Sequence, residues 1–507
     1  VNAIPDRELV LAVDLGTGGP KVALVSLAGV IEWSGFRSTV TTRGPNGIAT
    51  QDADDWWRSI VELTRTALSE KAIEPERIIA VAGTGQWSST VPVDADGLPV
   101  APCRLWMDTS AAGHSADLIG GKVMGYHPTR MPVWVRRTAG APSPSGGDPI
   151  SHMLGFTRDD SVVAQRARWF LEPIDALTMR MTGIASASAA SMSGAWLVDV
   201  RGPRATYDPA LIGWTGIDPA RLPELGPALR TVGPLRPEVA TELGLPRSCV
   251  VVGAVPDIHS AWVGSGALGP GQSHLAISTT SWISAEVDRK KADVFHSIAT
   301  IPGLRPGSYL MANNHEAAGA SLAWLAATFP GLDYGAWCSL AATSPVGANG
   351  ARFAPWLAGM RSPVDDRAAR ASWHGMSLTT SRADLARAVL EGVALQAAWL
   401  LGPVERFVGR ELDALRILGG GAQSDLWCQI HADALGRTIE RVRDPMHAQL
   451  RGAALLAGIA LGALSFDDVS QRVPVDGAFT ARQPEARAYA GMRDGLRSWH
   501  RTSARVR

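Results

Sequence analysis

Two short turns of small and hydroxyl-bearing residues give this sequence places where an anion could bind. The first is Asp14-Leu-Gly-Thr17-Gly-Gly-Pro-Lys21, between two apolar runs. In the second half of the chain, Ser278-Thr-Thr-Ser281 stands between two further apolar runs in the same way. Such residues let neighbouring N–H groups crowd together in a hairpin turn, an arrangement that can bind phosphate. Two related turns therefore predict a nucleotide held between two related lobes, and favour phosphoryl transfer.

In the first turn, the carboxylate of Asp14 could hold Mg²⁺ directly or through water, while Gly16 and Thr17 approach phosphate oxygens. The simpler interpretation is a structural hairpin in which Asp14 bonds to its own turn, as Asp before Gly commonly does. The similar turn at 278–281 favours the functional interpretation, because a random turn need not recur in the other half.

A third candidate is Asp257, which ends the apolar run Val250-Val-Val-Gly-Ala-Val-Pro-Asp257 at the start of a helix-like segment. An ordinary Asp, with a pKa of ~3.9, is ionised at neutral pH and can take the proton of a hydroxyl nucleophile. The same position also suits a helix N-cap, and position alone favours that structural interpretation.

The glycine-rich turn Leu418-Gly-Gly-Gly-Ala-Gln-Ser424 follows a predicted strand, Ala414–Leu418, and leads into a predicted helix. Adjacent glycines would let the main chain lie flat against a planar ligand such as adenine, where a Cβ would collide. A flexible loop is the alternative interpretation.

Two tryptophan segments, Gln86-Trp87 and Trp106-x-Asp108, could form a sugar pocket, since indole rings pack on C–H faces and polar groups bind hydroxyls. With 18 tryptophans in the chain, a core position is the simpler interpretation of any single one. The neighbouring Gln86 and Asp108 favour a site for these two segments.

The pattern Gly264-x-Gly266-x-x-Gly269 matches a dinucleotide fingerprint by its letters, which leaves an NAD(P)H-binding oxidoreductase as an alternative hypothesis. In that fingerprint the glycines follow the strand directly, whereas the helix-like Asp257–Val263 intervenes here. We therefore interpret 264–271 as a hinge or loop at the joint between two domains, 1–265 and 266–507.

Composition favours a soluble enzyme with small-molecule partners. A formal net charge of +0 gives no electrostatic reason to expect nucleic acid or a membrane surface as partner. No apolar stretch approaches the ~18 residues that span a bilayer, and Asp6, Arg7 and Glu8 interrupt any signal-peptide core. The four cysteines form no CxxC pair. We expect a cytoplasmic protein, and the sequence leaves open whether it is a monomer or a homodimer.

Strand and helix patterns alternate along the chain, which predicts an α/β fold. The predicted strands are a meander over 9–35, Ile78–Ala82, Cys249–Ala254 and Ala414–Leu418, and the predicted helices are Asp55–Ser69, Ala164–Met181, Gly319–Phe329, Ser381–Leu401 and Ser424–Leu435.

Taken in order, these segments resemble the FGGY family of carbohydrate kinases over nearly the whole chain. Any one motif is weak, but the ordered set is specific. Besides the turns, Asp257 and the glycine-rich segment, the matching motifs are Gln51-x-x-x-x-Trp56-Trp57, Leu105-Trp-Met-Asp-Thr109, Gly319-Ala-Ser-Leu-x-Trp324, Phe353-Ala-Pro-Trp-Leu-x-Gly359, Arg387-Ala-Val-Leu-Glu-Gly392 and Gly452-Ala-Ala454.

The resemblance implies a two-lobed, duplicated actin-like ATPase fold, related to ribonuclease H, with a cleft between the lobes. It implies transfer of a phosphoryl group from ATP to a sugar with Mg²⁺, and Asp257 as the catalytic base. The other implied contacts are Asp14, Gly16, Thr17, Lys21, Ser278, Thr279 and Thr280 to the ATP phosphates, with Asp14 on Mg²⁺ through water; Gly420, Gly421, Ala422 and Ser424 to adenosine; and Gln86, Trp87, Trp106, Asp108, Asp257 and Ile258 to the sugar.

The chain departs from the family pattern at several positions. Ser278 and Ser281 stand where glycine is usual, which would add side chains near phosphate, and Ile258 replaces a common Asn or Gln. The Arg-Glu pair of glycerol kinases is missing from the Gln86-Trp-Ser-Ser89 region. We therefore expect a xylulose-like ketose as substrate; a different sugar or polyol, or a catalytically weak ATP- and sugar-binding protein, are the alternatives.

Overall fold

The computed structural model describes residues 7–123, 125–202 and 204–506. The first six residues of the predicted first domain, Asp6 among them, and the last residue of the predicted second domain lie outside the described residues. Helices and strands alternate as the sequence predicts.

The helices are α1 (Ala53–Lys71), α2 (Ala112–Ile119), α3 (Arg130–Thr138), α4 (Pro149–Arg158), α5 (Ser161–Arg166), α6 (Pro173–Thr182), α7 (Ala189–Met192), α8 (Pro209–Thr215), α9 (Pro237–Leu243), α10 (Asp257–Ser265), α11 (Gly319–Thr328), α12 (Tyr334–Ala342), α13 (Arg382–Val408), α14 (Asp425–Leu435), α15 (Ala448–Ala460), α16 (Phe466–Gln471) and α17 (Gln483–Val506). The strands are β1 (Leu9–Gly16), β2 (Gly19–Ser26), β3 (Ile31–Phe36), β4 (Thr42–Arg43), β5 (Ala49–Gln51), β6 (Ile78–Gly85), β7 (Val91–Val93), β8 (Cys103–Arg104), β9 (Gly120–Val123), β10 (Trp169–Leu171), β11 (Ser186–Ser188), β12 (Val198–Asp199), β13 (Thr206–Tyr207), β14 (Glu224–Gly226), β15 (Thr231–Pro234), β16 (Val250–Pro256), β17 (Ser273–Ile277), β18 (Ser281–Ser284), β19 (Glu286–Val287), β20 (Ala292–Asp293), β21 (Ile298–Pro302), β22 (Tyr309–Ala312), β23 (Arg352–Ala354), β24 (Ser372–His374), β25 (Ala414–Leu418), β26 (Thr438–Val442) and β27 (Val475–Phe479).

Two sheets repeat one topology. The first has the strand order β15-β16-β6-β1-β2-β3, and the second has the order β18-β17-β25-β26-β27. In each, an antiparallel hairpin (β1–β2 or β17–β18) is followed by two parallel neighbours and then an antiparallel edge strand. The duplicated, two-lobed α/β fold that the resemblance implies is therefore confirmed.

The central strand β1 is buried on both faces, which explains its nearly continuous apolar sequence. On one face, Leu9 and Leu11 pack in a cluster with the tryptophans of α1. On the other face, Val10 and Ala12 pack in a cluster with alanines of α15, a helix that follows the second sheet in sequence. The two lobes therefore share a core at α15.

Helices α10 and α15 cross with their main chains in contact. A Cβ on Gly264 of α10 would collide with the carbonyl oxygen of Ala448, and a Cβ on Gly452 of α15 would collide with that of Ser260. The two contacts are reciprocal: the glycine of each helix meets a carbonyl group of the other. The helices are also equivalent in topology, since α10 follows β16 and α15 follows β26, and these strands hold the same place in their two sheets. Gly264 thus lies inside the last turn of α10, and the predicted hinge or loop begins only at Gly266, which ends the helix with a φ of +67°.

One predicted helix is wrong. The segment predicted as a single helix, Ala164–Met181, contains the end of α5, the strand β10, and α6. Strand β10 pairs with β7, and Pro173 occupies the first position of α6. A proline in that position begins a helix well, because it has no N–H to leave unbonded.

Helix α13 contradicts the expectation that no apolar stretch approaches the length that spans a bilayer. By length and composition alone it could cross a membrane, but 83% of its most apolar window is buried inside the protein. Ser381 and Asp384 form the predicted capping box at its start, and the helix continues past Pro403 to Val408. The composition of α13 is explained by its central place in the core of the second lobe.

We predict that Gly264→Ala and Gly452→Ala each lower the free energy of unfolding by about 1–3 kcal/mol or more, because the added methyl group meets main-chain atoms that cannot move aside. Chemical denaturation would measure this. Gly491→Ala in α17 is the matched control, since its Cβ would meet nothing within 4 Å. If Gly264→Ala and Gly491→Ala were equally stable, the close crossing would be contradicted.

Candidate active site

The turn between β1 and β2 directs its carbonyl groups into the protein. The carbonyl oxygen of Leu15 accepts from the N–H of Gln86 at 2.8 Å, that of Thr17 from the side-chain amide of Gln51 at 2.7 Å, and that of Gly18 from Thr39 N–H at 3.0 Å. Within the described part of the chain, the N–H groups of Thr17 and Gly18 have no acceptor. Neighbouring N–H groups left free in this way form a binding site for an anion.

The turn between β17 and β18 has the same polarity. The carbonyl oxygen of Ser278 accepts from Gly319 N–H at 2.8 Å, and that of Thr279 accepts from Ala318 N–H at 3.0 Å. Thr280 accepts from Ser278 N–H at 2.9 Å. Among the residues that the structure describes, the N–H groups of Thr279 and Thr280 have no acceptor. The second turn thus presents two free N–H groups next to the start of α11, as the first turn does next to β2.

Ser281 differs from the expectation that it adds a side chain near phosphate. Its side chain is fully buried, and its main chain pairs with that of His315. Ser278 is half-buried, and its hydroxyl lies beside Gly419. Of the two unusual serines, only Ser278 is placed where it could meet a bound ligand.

Three charged side chains, from β1, β2 and the start of α10, act on one another. Asp14 forms an ion pair with Lys21, with 3.0 Å between Oδ2 and Nζ, rather than bonding to its own turn. Asp257 is the first residue of α10, and Pro256 occupies the N-cap position, so Asp257 does not cap the helix. Burial, and then the charge of Asp14, raise the pKa of Asp257 to about 7, while the Ile258 N–H and Lys21 oppose this rise. The pKa of Lys21 is raised, chiefly by Asp14.

A polar network joins the first turn to the predicted sugar residues. Trp106 Nε1 donates to the Thr17 hydroxyl at 3.1 Å, and that hydroxyl lies 3.5 Å from Gln86 Oε1. The other atom of the Gln86 amide, Nε2, is buried and has no partner in the described structure. A buried donor without a partner is costly, so Nε2 is a good candidate to bind a hydroxyl oxygen of a ligand.

Trp87 and Ile258 have no side-chain hydrogen-bonding group free for a ligand in the described structure. Trp87 Nε1 already donates to the carbonyl oxygen of Ser191 at 2.6 Å. Its ring packs against an apolar cluster that contains Ile258, which is 9% exposed. These two residues could offer a ligand only an apolar surface.

The structure places Asp108 apart from these groups. It is fully buried, and its carboxylate accepts from the N–H groups of Ala49 and Ser110, at 2.8 and 3.0 Å, and from the Ser110 hydroxyl. With both oxygens engaged inside the protein, Asp108 supports the loop that carries Trp106 and has little capacity left for a ligand.

The glycine-rich turn packs against β17, and this corrects the reason for its glycines. A Cβ on Gly419 would meet the carbonyl oxygen of Ile277, and a Cβ on Gly421 would meet the Ile277 side chain. Only at Gly420 does the space around a Cβ remain open. Of the other adenosine candidates, Ala422 is buried and Ser424 caps α14.

A turn that sequence reasoning missed, 444–447, links the two halves of the site. Gly419 N–H donates to the carbonyl oxygen of Pro445 at 2.8 Å, and His447 Nε2 lies 3.2 Å from the Ser34 hydroxyl on β3. Burial lowers the pKa of His447, and the positive charge of Lys21 lowers it further. The chain of contacts therefore runs from the glycine-rich turn through 444–447 to Ser34 on β3, and the charge of Lys21 acts on His447. A lone histidine in a turn gave no sequence signal.

The acidic residues suit a metal that arrives with its ligand. No group of three or more His, Cys, Asp or Glu side chains in the described residues could hold a metal ion by itself. Mg²⁺ is commonly bound by one or two carboxylates together with substrate phosphates. Asp14 and Asp257, beside the donors of the first turn, fit that arrangement.

The chain matches the FGGY family of carbohydrate kinases in two parts. Residues 9–264 match its N-terminal domain, and residues 275–461 match its C-terminal domain. The chain therefore belongs to the FGGY family of carbohydrate kinases. It is a phosphotransferase, as the resemblance implies: ATP is the phosphoryl donor and an alcohol group is the acceptor.

Its relatives include kinases of two different substrates. A xylulose kinase of Staphylococcus epidermidis is 27% identical over 460 residues, covering 90% of this chain and 88% of the relative. A glycerol kinase of Bordetella parapertussis is 27% identical over 468 residues, covering 90% and 89%. The crystal structure of ligand-bound xylulose kinase from Lactobacillus acidophilus has the same fold, with a TM-score of 0.84 at 20% identity over 98% of both chains.

We predict that Gly420→Ala leaves stability unchanged and raises the KM for ATP, because a methyl group at this position meets only the space where a ligand would lie. Gly421→Ala is the contrasting variant: its methyl group meets Ile277 and Trp427, so it should lower the midpoint of thermal unfolding. Steady-state kinetics and thermal denaturation would measure both. An unchanged KM in Gly420→Ala would remove Gly420 from the nucleotide site.

Proposed function

We propose that this protein transfers the γ-phosphate of ATP to a hydroxyl group of a xylulose-like ketose, with Asp257 as the general base. One observation carries the proposal: in the described residues, a hairpin turn of each lobe leaves two neighbouring N–H groups free, and a carboxyl group with a raised pKa interacts with the charged pair of the first hairpin. The first turn and Asp257 are joined through Lys21 and Asp14.

In this mechanism Asp257 accepts the proton of the attacking hydroxyl as its oxygen bonds to phosphorus. A pKa of about 7 makes its carboxylate a stronger base than an ordinary Asp, while a large fraction stays ionised at neutral pH. Lys21 keeps a positive charge near Asp257 and Asp14, which limits the repulsion between the two carboxylates and an incoming triphosphate.

The free N–H groups of Thr17, Gly18, Thr279 and Thr280 would hold the phosphates from two sides. Such fixed donors stabilise the charge that develops on phosphoryl oxygens. Mg²⁺, when bound with ATP near Asp14, would neutralise part of the phosphate charge. Closure of the lobes would exclude water from the γ-phosphate and so limit hydrolysis.

The acceptor site has one free donor and one apolar wall. Gln86 Nε2 can bind a hydroxyl or carbonyl oxygen, and Trp106 lies next to it on Thr17. Trp87 and Ile258 can pack on the C–H face of a sugar. The missing Arg-Glu pair argues against glycerol, and the similarity to xylulose kinases supports a ketose.

All four cysteines are unpaired thiols, in line with the expected cytoplasmic location. A homodimer is also part of the proposal.

We predict that kcat/KM for the sugar rises with pH up to about 7 and is level above it. Only the carboxylate form of Asp257 can accept a proton, so activity is lost as pH falls through its pKa. A pH profile from 5.5 to 8.5 would measure this, after a check that the coupling enzymes are not limiting.

Asp257→Asn should lower kcat by about 10²–10⁴-fold while ATP still binds. A variant that retains full turnover, or a flat pH profile in the natural protein, would contradict the assignment of Asp257 as base.

A screen of ADP release over pentuloses, hexuloses and polyols would test the acceptor. We expect the highest kcat/KM with a ketose such as xylulose and little or no turnover with glycerol. Preference for a polyol would support the alternative acceptor class. ATP binding without turnover of any acceptor would instead support the catalytically weak protein.

A further inference from the structure

We propose that Gln51 is a positioning residue that orients the first phosphate turn for nucleotide binding. The inference rests on the proposed function, because it assigns a purpose to Gln51 only if the turn at Thr17 and Gly18 binds phosphate. Gln51 is the last residue of β5, far from Asp257 in sequence, and it touches the turn only through its side chain.

The orientation of the Gln51 amide is fixed by its partners. Its Oε1 accepts from the indole N–H of Trp56 at 3.0 Å, and an indole N–H can only donate. The nitrogen Nε2 must therefore be the atom that faces Thr17, and it donates to the Thr17 carbonyl oxygen at 2.7 Å and to the Thr41 hydroxyl at 2.9 Å. The side chain is 1% exposed, so water does not compete for these bonds.

This bond determines where the N–H of Gly18 points. The carbonyl of Thr17 and the N–H of Gly18 belong to one peptide unit, and in a trans peptide they point in opposite directions. Holding the carbonyl inward against Gln51 therefore turns the N–H outward, where it has no acceptor in the described structure.

The peptide unit between Thr17 and Gly18 needs the hydrogen bond from Gln51 because it is next to glycine. Two glycines, Gly18 and Gly19, follow Thr17, and Gly19 has a φ of +133°, a conformation that other residues rarely adopt. A peptide next to glycine can rotate with little steric cost, and a rotated unit would present a carbonyl oxygen to the phosphate instead of a donor. Gln51 holds the main chain of Thr17 while Trp106 holds its hydroxyl.

The test compares Gln51→Met with Thr41→Val. Methionine has a similar shape but donates no hydrogen bond, so the Thr17 carbonyl loses its partner without a new charge. Thr41→Val removes the other acceptor of the same amide and leaves the bond to Thr17. Binding of Mg-ADP, measured by calorimetry, should weaken about tenfold in Gln51→Met and at most twofold in Thr41→Val, while the KM for the sugar stays unchanged in both.

A second variant supplies a reversible readout. A carboxylate in Gln51→Glu cannot donate to Thr17, but the protonated acid can. We expect the Mg-ADP affinity of this variant, relative to that of the natural protein, to recover as pH is lowered from 8 to 6. The unfolding midpoint of the variant, measured at the same pH values, should change less than the affinity; a recovery of affinity that only follows the recovery of the fold would indicate a role in folding alone.

The outcomes separate the inference from the proposed function. If the natural protein binds no nucleotide, the proposed function fails. If it binds Mg-ADP and Gln51→Met binds it equally well, only the inference is overturned. An equal weakening for nucleotide and sugar in Gln51→Met, with a lower unfolding midpoint and no pH recovery in Gln51→Glu, would also overturn it.

Discussion

The main-chain contact between α10 and α15 is the constraint on which the rest of the site depends. Asp257 begins α10, and the turn that carries His447 leads directly into α15, so the crossing at Gly264 and Gly452 fixes the helix that carries Asp257 against the helix that follows this turn. Because α10 and α15 follow equivalent strands of the two sheets, the contact between these helices joins equivalent parts of the two lobes. A side chain at either glycine would separate the helices and with them the two turns.

The two turns show how a duplicated topology produces a binding site for one asymmetric ligand. Each turn has its carbonyl groups occupied from within its own lobe, by Gln51 and Thr39 in the first and by the start of α11 in the second. In the described structure, each turn leaves two neighbouring N–H groups without an acceptor. What breaks the equivalence is charge: Asp14, Lys21 and Asp257 surround the first turn, whereas the second has hydroxyl groups. Under the proposed function, the first lobe would supply the base and both lobes would bind the nucleotide.

The sequence predicted the features whose causes are local. The meander around Asp14, the helix α14 with its Ser424 cap, and the strand before Asp257 all follow from short-range pattern. Sequence reasoning failed where distant residues decide. Asp108 looked available until Ala49 and Ser110 were seen to occupy it, and the glycines at 419 and 421 are required by Ile277 on another strand. The break before α6 was locally marked by Pro173, and the apolar run simply outweighed it.

The charges of the site constrain one another, so the base and the phosphate site cannot be considered separately. Asp14 raises the pKa of Asp257, and Lys21 opposes that effect while paired with Asp14. A triphosphate at the first turn brings further negative charge close to the same lysine. If Lys21 turned from Asp14 toward the phosphate, Asp14 would be freed to approach a bound cation. Under the proposed function, the lysine would thus let two carboxylates and a polyanion occupy one site.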